Sequence, residues 1–454
     1  MENLVNLNTP DFSRLIRNRV PNLNEMATHT SNTIKIKTTY YWRYFIYLVL
    51  TYFIVCFILF TIFLYIIIRA KNKVKHPFWY SQPVYYASYS NFLYTFGYFY
   101  GHGIINHKLP KINRWTNYKN IEFISLVDIK AENVKTISEF IKTNYKDSEY
   151  EVYKYDITPI LFLSYLVHHN SATYIGTYND PVTNKLVGTI TAHPLNINIR
   201  ENGKEMRLHN DVNYENVVYY VDNLCVHLDH RGRKIAPELI ETLYHKIRHT
   251  NYTTKVALFK RENMFGSFIQ GLTVYRTNIY KIDKWFNTSF ELTAQCNVLE
   301  ITQQNIHLLY NFIYNNNDKF FDVFIYPDMT NMVELLNRSA IYIYMIMKGD
   351  HICSVFFFKD TATKYSEKKT VGLFGSINNE QTMEFQTQGF YHILEKIVKK
   401  YEYEMLELEE ISHNKELNKY VIRLNTPIII STITWFLYNY KFKTLSSEKV
   451  FILN

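Results

Sequence analysis

The stretch "NLCVHLDHRGRKIAPELI", from Asn223 to Ile240, connects an apolar segment to a helix-like segment through a basic turn. The segment before the turn begins at Asn216 with "NVVYYVDNLCV", which is typical of a buried strand. After the turn, apolar residues recur at helical spacing and predict a helix with one apolar face: Ile235, Leu239, Leu243 and Ile247. Pro237 fits this helix only in the first turn, where no intrahelical N–H is needed.

The basic turn is a candidate anion site. Arg231, Arg233 and Lys234 supply positive charge, and Gly232 allows close approach of the backbone. A helix N-terminus collects unpaired N–H groups and the positive end of the helix dipole, and phosphates bind there readily. The residues alone also leave open an exposed basic turn that binds nothing.

Strand signals lie on both sides of this unit. Residues 185–199, "KLVGTITAHPLNINI", alternate between apolar and polar after a turn signal at Asn179-Asp180-Pro181. "TKVALFK", residues 254–260, follows the predicted helix as the next strand. The order is therefore strand, basic turn, helix, strand.

A second set of elements follows near residue 290. Residues 340–360 predict a hairpin around Lys348-Gly349-Asp350, residues 388–400 predict a helix, and "YEMLELEE" predicts a strand. This order repeats the first set without its basic turn. We therefore expect an α/β (α+β) chain with two related halves, 75–289 and 290–454.

Composition excludes some classes of protein. Fifty Lys and Arg against 41 Asp and Glu give a net charge of +9, mild for 454 residues. Such a charge suits a solvated surface, an anionic ligand or membrane headgroups, and nothing further supports nucleic-acid binding. The four cysteines are scattered without a CxxC pair, so we expect neither a disulfide framework nor a metal site.

One segment predicts a transmembrane helix. Residues 44–68, "YFIYLVLTYFIVCFILFTIFLYIII", carry no charge, and a helix of this length spans a bilayer core. A buried globular helix is the alternative. Residues 1–40 predict a polar tail. The basic cluster at residues 69–75 follows the span closely, so the positive-inside rule favours a cytosolic C-terminal side, giving a single-pass membrane protein.

Four stretches carry a resemblance to a known family. Arg-Gly-Arg-Lys-Ile-Ala after a strand resembles the pyrophosphate loop of the GCN5-related acyltransferase superfamily. The wider stretch from Asn223 is similar to the glycylpeptide N-myristoyltransferases within it. Three further matches occur in the family's order, and the set covers most of residues 75–454: "HPFWYSQPV" from His76, "NYKDSEYEVYKYD" from Asn144, and "LYNYK" followed by the terminal "EKVFILN".

The resemblance implies two fused GCN5-related halves with mixed sheets, a myristoyl-CoA donor, no metal, and acceptor proteins or peptides with an N-terminal glycine. We expect a monomer. The matched positions imply coenzyme or acyl contacts at His76, Phe78, Trp79, Leu224, Val226, Arg231, Gly232, Arg233, Lys234, Ile235 and Ala236. They imply a peptide groove at Tyr145, Asp147, Glu149, Tyr153 and Tyr155. For the aromatic residues, ordinary core packing is the alternative.

The resemblance also implies how an amide forms. The family is thought to use the C-terminal carboxylate, here that of Asn454, as the base for the glycine ammonium, with backbone N–H groups at Asn223 and Leu224 stabilising the oxyanion. A carboxylate pKa near 3.5 against an ammonium near 8 is a gap of about 6 kcal/mol, which burial of the carboxylate must narrow. A frayed terminus is the alternative. Cys225 and His227 are expected to be structural.

Two departures from the family pattern leave three hypotheses. Lys260 stands where the family has a threonine that helps to place the amine, and "EKVFILN" is one residue shorter than the usual ending. The first hypothesis is a membrane-anchored protein N-myristoyltransferase. The second is a weakly active or inactive acyl-CoA or myristoyl-glycine binding protein at a membrane, and the third an acyltransferase with another donor or acceptor.

Overall fold

The chain divides into two compact units, Met1–Tyr80 and Ser81–Asn454. The computed structural model describes residues 23–87, 101–145, 153–201, 203–208, 216–262, 269–283, 285–286, 292, 295–379 and 382–454. Each unit is described separately below.

The first unit contains one long helix, α1, Leu23–Lys75. Pro21 and Pro77 flank it and neither Pro nor Gly lies within it, so nothing in its sequence interrupts the helical hydrogen bonds. The helix includes residues 23–40, which the sequence predicts as part of a polar tail. Most large apolar side chains between 44 and 68 are exposed. Of the described residues, this is the one helix long and apolar enough to cross a membrane, judged by length and composition alone.

The second unit contains helices and strands in alternation. Its helices are α2 Ala131–Asn144, α3 Pro159–Ser164, α4 Ile235–Thr250, α5 Ile306–Phe320, α6 Met329–Asn337, α7 Met383–Tyr401 and α8 Asn414–Leu424. Its strands are β1 Gly103–Ile104, β2 Ile121–Ile124, β3 Tyr153–Tyr155, β4 Tyr174–Asn179, β5 Leu186–Glu201, β6 Lys204–Met206, β7 Val217–Val226, β8 Ala257–Glu262, β9 Thr273–Lys281, β10 Cys296–Glu300, β11 Val323–Tyr326, β12 Ile341–Lys348, β13 His351–Tyr365, β14 Lys368–Asn378, β15 Met405–Glu409, β16 Ile429–Tyr438, β17 Tyr440–Lys441 and β18 Val450–Ile452.

Among the described strands, sixteen form one mixed sheet and β1 pairs with β17. The main order is β10-β12-β13-β14-β15-β9-β16-β8-β7-β5-β11-β18, with β2 and β4 extending from β5, β6 beside β5, and β3 beside β13. Strands from before and after residue 290 therefore share a sheet within one compact unit. The expected mixed α/β architecture is confirmed, while the boundary near residue 290 lies between two parts of a continuous sheet.

Two parallel strand pairs repeat one arrangement. β7, α4 and β8 form the first strand-helix-strand unit, and β14, α7 and β15 form the second. A parallel pair needs a crossover connection, and a helix commonly supplies it. The two sets of elements that the sequence predicts thus correspond to two copies of the same local topology.

The C-terminal strand is paired and buried at one end of the sheet order. β18 pairs in parallel with β11, and the Leu453 N–H donates to the Ile325 carbonyl at 2.8 Å. Phe451 is fully buried and its ring stacks on that of Phe324 at 4.8 Å. A Cβ at Gly375 would lie 2.8 Å from Cε2 of Phe451, so the glycine makes room for this ring. Apolar burial fixes the chain up to its penultimate residue.

Candidate active site

Strands β7 and β8 part at the centre of the sheet. They pair only from Tyr219 to Val221 on β7, whereas β5 stays paired with β7 as far as Val226. On its other edge, β8 stays paired with β16 along its whole length, from Ala257 to Glu262. The separation of two parallel neighbours opens a gap in the sheet beside Asp222 and Asn223.

A β-bulge distorts β7 at this gap. Thr189 pairs with Cys225 and Thr191 with Asp222, so β7 carries one extra residue between these pairs. Asn223 has a φ of 51°, a left-handed conformation that Asn tolerates better than most residues. The hydroxyl of Thr189 donates to the Asn223 carbonyl at 3.0 Å, and the Asn223 amide donates to the Thr191 hydroxyl at 3.0 Å. A bulge re-aims backbone groups, and these bonds hold it in one geometry.

The basic turn follows β7 directly. Residues 231–234 are exposed, and α4 begins at Ile235 with Pro237 in its first turn. Gly232 and Lys234 both have positive φ, 78° and 68°, which bends the loop tightly before the helix. The predicted apolar face of α4 is confirmed, because its four residues are all buried: Ile235, Leu239, Leu243 and Ile247. The turn therefore presents backbone and charge at a helix N-terminus.

Arg231 differs from its neighbours in the turn. Its guanidinium Nη2 donates to the Asn144 carbonyl at 2.9 Å, and its Nε reaches the Val226 carbonyl at 3.4 Å. These bonds fasten the turn to the end of α2 and to β7. Arg231 thus has a structural role beside the predicted phosphate contact.

A central cavity of about 350 Å³ lies in the gap between β7 and β8. Its wall includes five residues that the sequence assigns to catalysis or the peptide groove: Asn223, Asn454, Tyr145, Tyr153 and Tyr155. It also includes Lys260. Residues from β3, β7, β8, β13, β15 and the C-terminus meet here, although the first and last of these segments lie about 300 positions apart in the chain.

The tyrosines form one side of the cavity. The rings of Tyr145 and Tyr155 lie 4.7 Å apart. Next to Tyr155, Asp156 accepts ion pairs from Lys142 of α2 at 2.6 Å and Lys364 of β13 at 2.5 Å. Lys142 and Lys364 lower the Asp156 pKa to about 2, so the carboxylate stays ionised at neutral pH. This clamp fixes β3 and the groove side chains it carries.

The C-terminal residue also reaches the cavity. Asn454 lines the wall, and its side-chain Oδ1 lies 2.9 Å from Nε2 of His193. His193 comes from β5, is buried, and stacks on His169 at 5.2 Å. Burial first, and then His169, lower the His193 pKa to about 3, so this imidazole is neutral at physiological pH.

A mixed cluster of charges forms the floor of the cavity. Lys359, Gly372 and Glu407 are neighbours in register on β13, β14 and β15, so they share one face of the sheet. Gly372 has no side chain, and Lys359 extends across it to pair with Glu409 Oε1 at 3.4 Å. The Tyr275 hydroxyl donates to the other oxygen of Glu409 at 2.5 Å.

The carboxylates of the floor titrate differently. Burial and the nearby Glu409 raise the Glu407 pKa, although Lys260 and Lys359 oppose this. Burial would also raise the Glu409 pKa, but Lys359 and Lys260 outweigh it and lower that pKa. Burial opposes the charged form of Lys260, yet Glu409 and Glu262 raise the Lys260 pKa. Lys260 therefore remains a cation in the cavity wall.

Comparison with known proteins identifies the segment that carries the turn. Residues 111–261 match the family model described as the N-terminal domain of myristoyl-CoA:protein N-myristoyltransferase. This segment is therefore similar to the N-myristoyltransferase family. This match contains β7, the bulge, the basic turn and α4.

Relatives extend the likeness along the chain. A glycylpeptide N-tetradecanoyltransferase of Plasmodium falciparum is 24% identical over 378 residues, which cover 76% of this chain and 78% of the relative. A crystal structure of Saccharomyces cerevisiae N-myristoyltransferase with bound myristoyl-CoA has a TM-score of 0.62 at 15% identity, covering 82% of this chain and 94% of the yeast chain. A second yeast N-myristoyltransferase structure with bound myristoyl-CoA has a TM-score of 0.63 at 14% identity. The match covers 84% of this chain and 95% of the yeast chain. At these identities the structures show a shared fold. Together with the family match, the relatives support an acyltransferase.

Some predicted N-myristoyltransferase residues do not line the central cavity. Leu224 is 38% exposed beside the bulge, and Val226 and residues 231–236 continue away along β7 and the turn. His76, Phe78 and Trp79 belong to the first unit, where the rings of Phe78 and Trp79 lie 5.0 Å apart. Asp147 and Glu149 lie outside the described residues. The ligand contacts of all these residues stay predictions.

Cys225 and His227 are placed as structural residues. Burial raises the Cys225 pKa to about 12, which disfavours the nucleophilic thiolate. His227 Nδ1 accepts the Asp229 N–H at 3.3 Å and so caps the short turn after β7. Within the described part of the chain, no group of three or more His, Cys, Asp or Glu residues could hold a metal ion.

Sequence reasoning missed the residues that surround Asn454 and Lys260. His193 lies inside a stretch recognised only as a strand, and Lys359, Glu407 and Glu409 lie in the second half without a local motif. The polar residues on strands otherwise rich in apolar residues were the available signal. Their convergence depends on strand register, which the sequence does not display.

Proposed function

We propose that this chain is a membrane-anchored protein N-myristoyltransferase. It moves the myristoyl group from myristoyl-CoA to the N-terminal glycine amine of proteins or peptides. The observation that carries the proposal is the meeting of Asn223, Asn454 and the three tyrosines around one cavity. The family match of residues 111–261 and the acyltransferase relatives support the same activity.

The coenzyme end of the site would use residues of the turn. Arg233 and Lys234 would pair with phosphates of the coenzyme, and backbone N–H groups at the start of α4 would donate hydrogen bonds to the phosphate oxygens. The exposed side chain of Leu224 would contact the thioester end. Phe78 and Trp79 would add apolar contacts to the coenzyme or acyl chain, as the family resemblance implies.

The transfer itself needs no covalent intermediate on the protein. The neutral glycine amine attacks the thioester carbonyl carbon, a C–N bond forms, the C–S bond breaks, and the coenzyme leaves as the thiol. N–H groups at Asn223 and Leu224 would stabilise the oxyanion, and the bulge that re-aims this backbone supports that role. The terminal carboxylate of Asn454 would accept the ammonium proton before the attack.

The acidic excess of the cavity suits a cationic acceptor. Asp222, Glu262 and Asp360 line it, against Lys260 and Lys359, while burial and Glu409 raise the pKa of Glu407 and favour its neutral form. Such a wall attracts an ammonium group and keeps it near the terminal carboxylate. The buried course of Val450–Leu453 brings the chain end to the cavity wall, where the proton transfer would take place.

The first experiment measures transfer directly. The purified chain would be incubated with myristoyl-CoA and a pool of glycine-starting peptides, and acylated products read by mass spectrometry. We expect products only on peptides with a free N-terminal glycine. Matched peptides with an acetylated glycine are the control, and acylation of these, or of lysine side chains, would contradict the proposal. A series of acyl-CoA chain lengths separates myristoyl transfer from transfer of another acyl group.

One observation favours a second candidate function. Lys260 carries a charge in the cavity wall and, among the described residues, its Nζ forms no salt bridge, only a contact of 5.9 Å with the Trp435 ring. This cation competes with the acceptor ammonium for the same carboxylates. A chain that binds myristoyl-CoA without turnover, and gains turnover on Lys260→Thr, would instead be an acyl-CoA binding protein at a membrane.

The anchor forms a separate part of the proposal. The uncharged span at 44–68, with its exposed apolar side chains, supports a single-pass membrane helix. The tighter basic cluster at 69–75 supports a cytosolic catalytic region, and no partner subunit is proposed. Removing residues 1–74 should release the protein from membranes and leave turnover intact. A truncated chain that still sediments with membranes would contradict the anchor.

A further inference from the structure

The terminal residue needs a restraint of its own. Among the described residues, the backbone hydrogen bond nearest to the C-terminus runs from the Leu453 N–H to the Ile325 carbonyl. Beyond it, Asn454 projects into a cavity that must also admit two substrates. One residue of free backbone can move a carboxylate by up to about 3.5 Å, whereas proton transfer requires contact at about 2.6–3.2 Å. A carboxylate that swings freely over this range would spend little time in reach of an amine.

His193 provides the contact that could restrain it. Its Nε2 lies 2.9 Å from the side-chain Oδ1 of Asn454. An amide oxygen only accepts, so Nε2 carries the proton and donates it. The imidazole is 3% exposed and has little freedom to rotate away. It holds the side chain of the terminal residue and leaves that residue's α-carboxylate free of this bond.

A second histidine fixes the first. The His169 ring stacks on His193 with an interplanar angle of 18°, and Tyr220 packs against the other ring edge at 5.4 Å. His169 Nε2 donates to the Tyr165 carbonyl at 3.0 Å. Asp328 Oδ2 lies 3.8 Å from His169 Nδ1 and accepts the Asn170 N–H at 2.8 Å. These side-chain contacts form a series that connects α6 and the loop after α3 to the C-terminus. The series runs from Asp328 through His169 and His193 to Asn454.

The neutral state of His193 matters for the proposed chemistry. A protonated imidazole beside the terminal residue would stabilise the carboxylate as an anion and make it a weaker base. Burial keeps His193 uncharged instead. The restraint is thus a hydrogen bond that adds no positive charge beside the carboxylate.

We propose that His193 is a positioning residue that holds the Asn454 side chain and thereby aims the C-terminal carboxylate at the acceptor amine. This rests on the proposed function above. His193 does not touch the reacting atoms, and its contribution is geometric. The contact also gives the short "EKVFILN" ending a defined place in the cavity.

The test compares five variants of the full chain with the parent protein. They are His193→Ala, His193→Gln, Asn454→Ala, the double variant His193→Ala with Asn454→Ala, and His413→Ala. His413 is a partly buried histidine that accepts the Asn378 N–H at 2.7 Å and does not line the central cavity, so it controls for general loss of a buried imidazole. Turnover, affinity for myristoyl-CoA and thermal unfolding would be measured for each.

We expect His193→Ala to lower kcat roughly 10- to 100-fold, because small misplacements of a reacting group have effects of this size. Affinity for myristoyl-CoA should stay within about twofold. Asn454→Ala should lower kcat similarly, and the double variant should be no worse than either single variant. Gln at position 193 can donate one N–H and should restore part of the rate, whereas His413→Ala should leave kcat unchanged.

Two outcomes would overturn the inference. Unchanged kcat in His193→Ala, or fully additive losses in the double variant, would contradict positioning while leaving the proposed function intact. If the parent chain transfers nothing, the proposed function fails, and release of Asn454 by a carboxypeptidase still tests the contact. We expect faster release in His193→Ala than in the parent and in His413→Ala; equal rates would reject the restraint.

Discussion

The basic turn and the cavity floor are opposite kinds of site. Residues 231–234 are contiguous, exposed and follow one strand, so a short stretch of sequence is enough to show that the turn is basic. The floor takes Lys260 from β8, Lys359 from β13 and Glu407 from β15, with Glu409 of β15 held behind them by Lys359. The turn presents backbone and positive charge to solvent, whereas the floor balances opposite charges within the protein.

This difference predicts different responses to substitution. A contiguous exposed turn tolerates change, and losing one charge there weakens binding without altering the fold. A floor built from several strands depends on register, so a shift of one strand moves several groups at once. The four predictions below test this contrast, from the largest expected effect to the smallest.

The largest effect should come from the chain end. Adding one glycine after Asn454 moves the terminal carboxylate out of contact, and we expect turnover to fall at least about 100-fold. Affinity for myristoyl-CoA should be retained. Single-turnover kinetics with a glycine-starting peptide measure the effect, and the same glycine added before Met1 is the matched control. Full activity of the extended chain would show that the base lies elsewhere.

Neutralising the turn should affect binding alone. The double change Arg233→Ala with Lys234→Ala removes two exposed charges, and we expect affinity for myristoyl-CoA to fall roughly 10- to 100-fold. The affinity should also become less sensitive to salt, while kcat at saturation stays unchanged. Titration calorimetry at two salt concentrations measures both. Lys185→Ala, at an exposed lysine of the β4–β5 turn, should change neither.

A methyl group at position 375 should displace the C-terminal strand β18. The new Cβ would lie 2.8 Å from Cε2 of Phe451, so Gly375→Ala should reduce stability by about 1–3 kcal/mol and lower turnover through a displaced Asn454. Gly101→Ala is the control, because a Cβ there has none of the described residues within 4 Å. Denaturant unfolding and transfer kinetics would be compared. Equal behaviour of the two variants would mean that β18 accommodates the methyl group.

The smallest effect concerns Glu407 and pH. Burial and Glu409 raise its pKa above the unfolded value, so the fold favours the protonated form. The group therefore supports stability at low pH and loses that support as pH rises past the unfolded pKa of about 4.3. Glu407→Gln removes this pH-dependent loss. The gain in unfolding free energy of the variant over the parent should therefore be larger at pH 8 than at pH 5, by on the order of 1 kcal/mol. Thermal unfolding at both pH values measures it, with Glu205→Gln, at an exposed position on β6, as control. A pH-independent difference would contradict the assigned pKa direction.

Local signals predicted most of the fold near the turn. The strand at 217–226, the helix at 235–250 and the hairpin at 341–365 follow the apolar periodicities and the turn residues closely. The helix α1 extends beyond the predicted span because a long apolar run marks its centre, while its ends depend on where proline stops it. The bulge at Asn223 was not predicted, since Asn is common in ordinary loops as well as at positive φ.

The sequence by itself determined the exposed basic turn, the apolar span and the mixed α/β class, because each depends on residues close together in the chain. Only the tertiary structure decided that His193 meets Asn454, that Lys359 reaches Glu409 across Gly372, and that the tyrosines face the terminus. These contacts depend on which strands are neighbours and in which register they pair. Long-range pairing reflects the packing of the whole sheet, and no short stretch of residues specifies it.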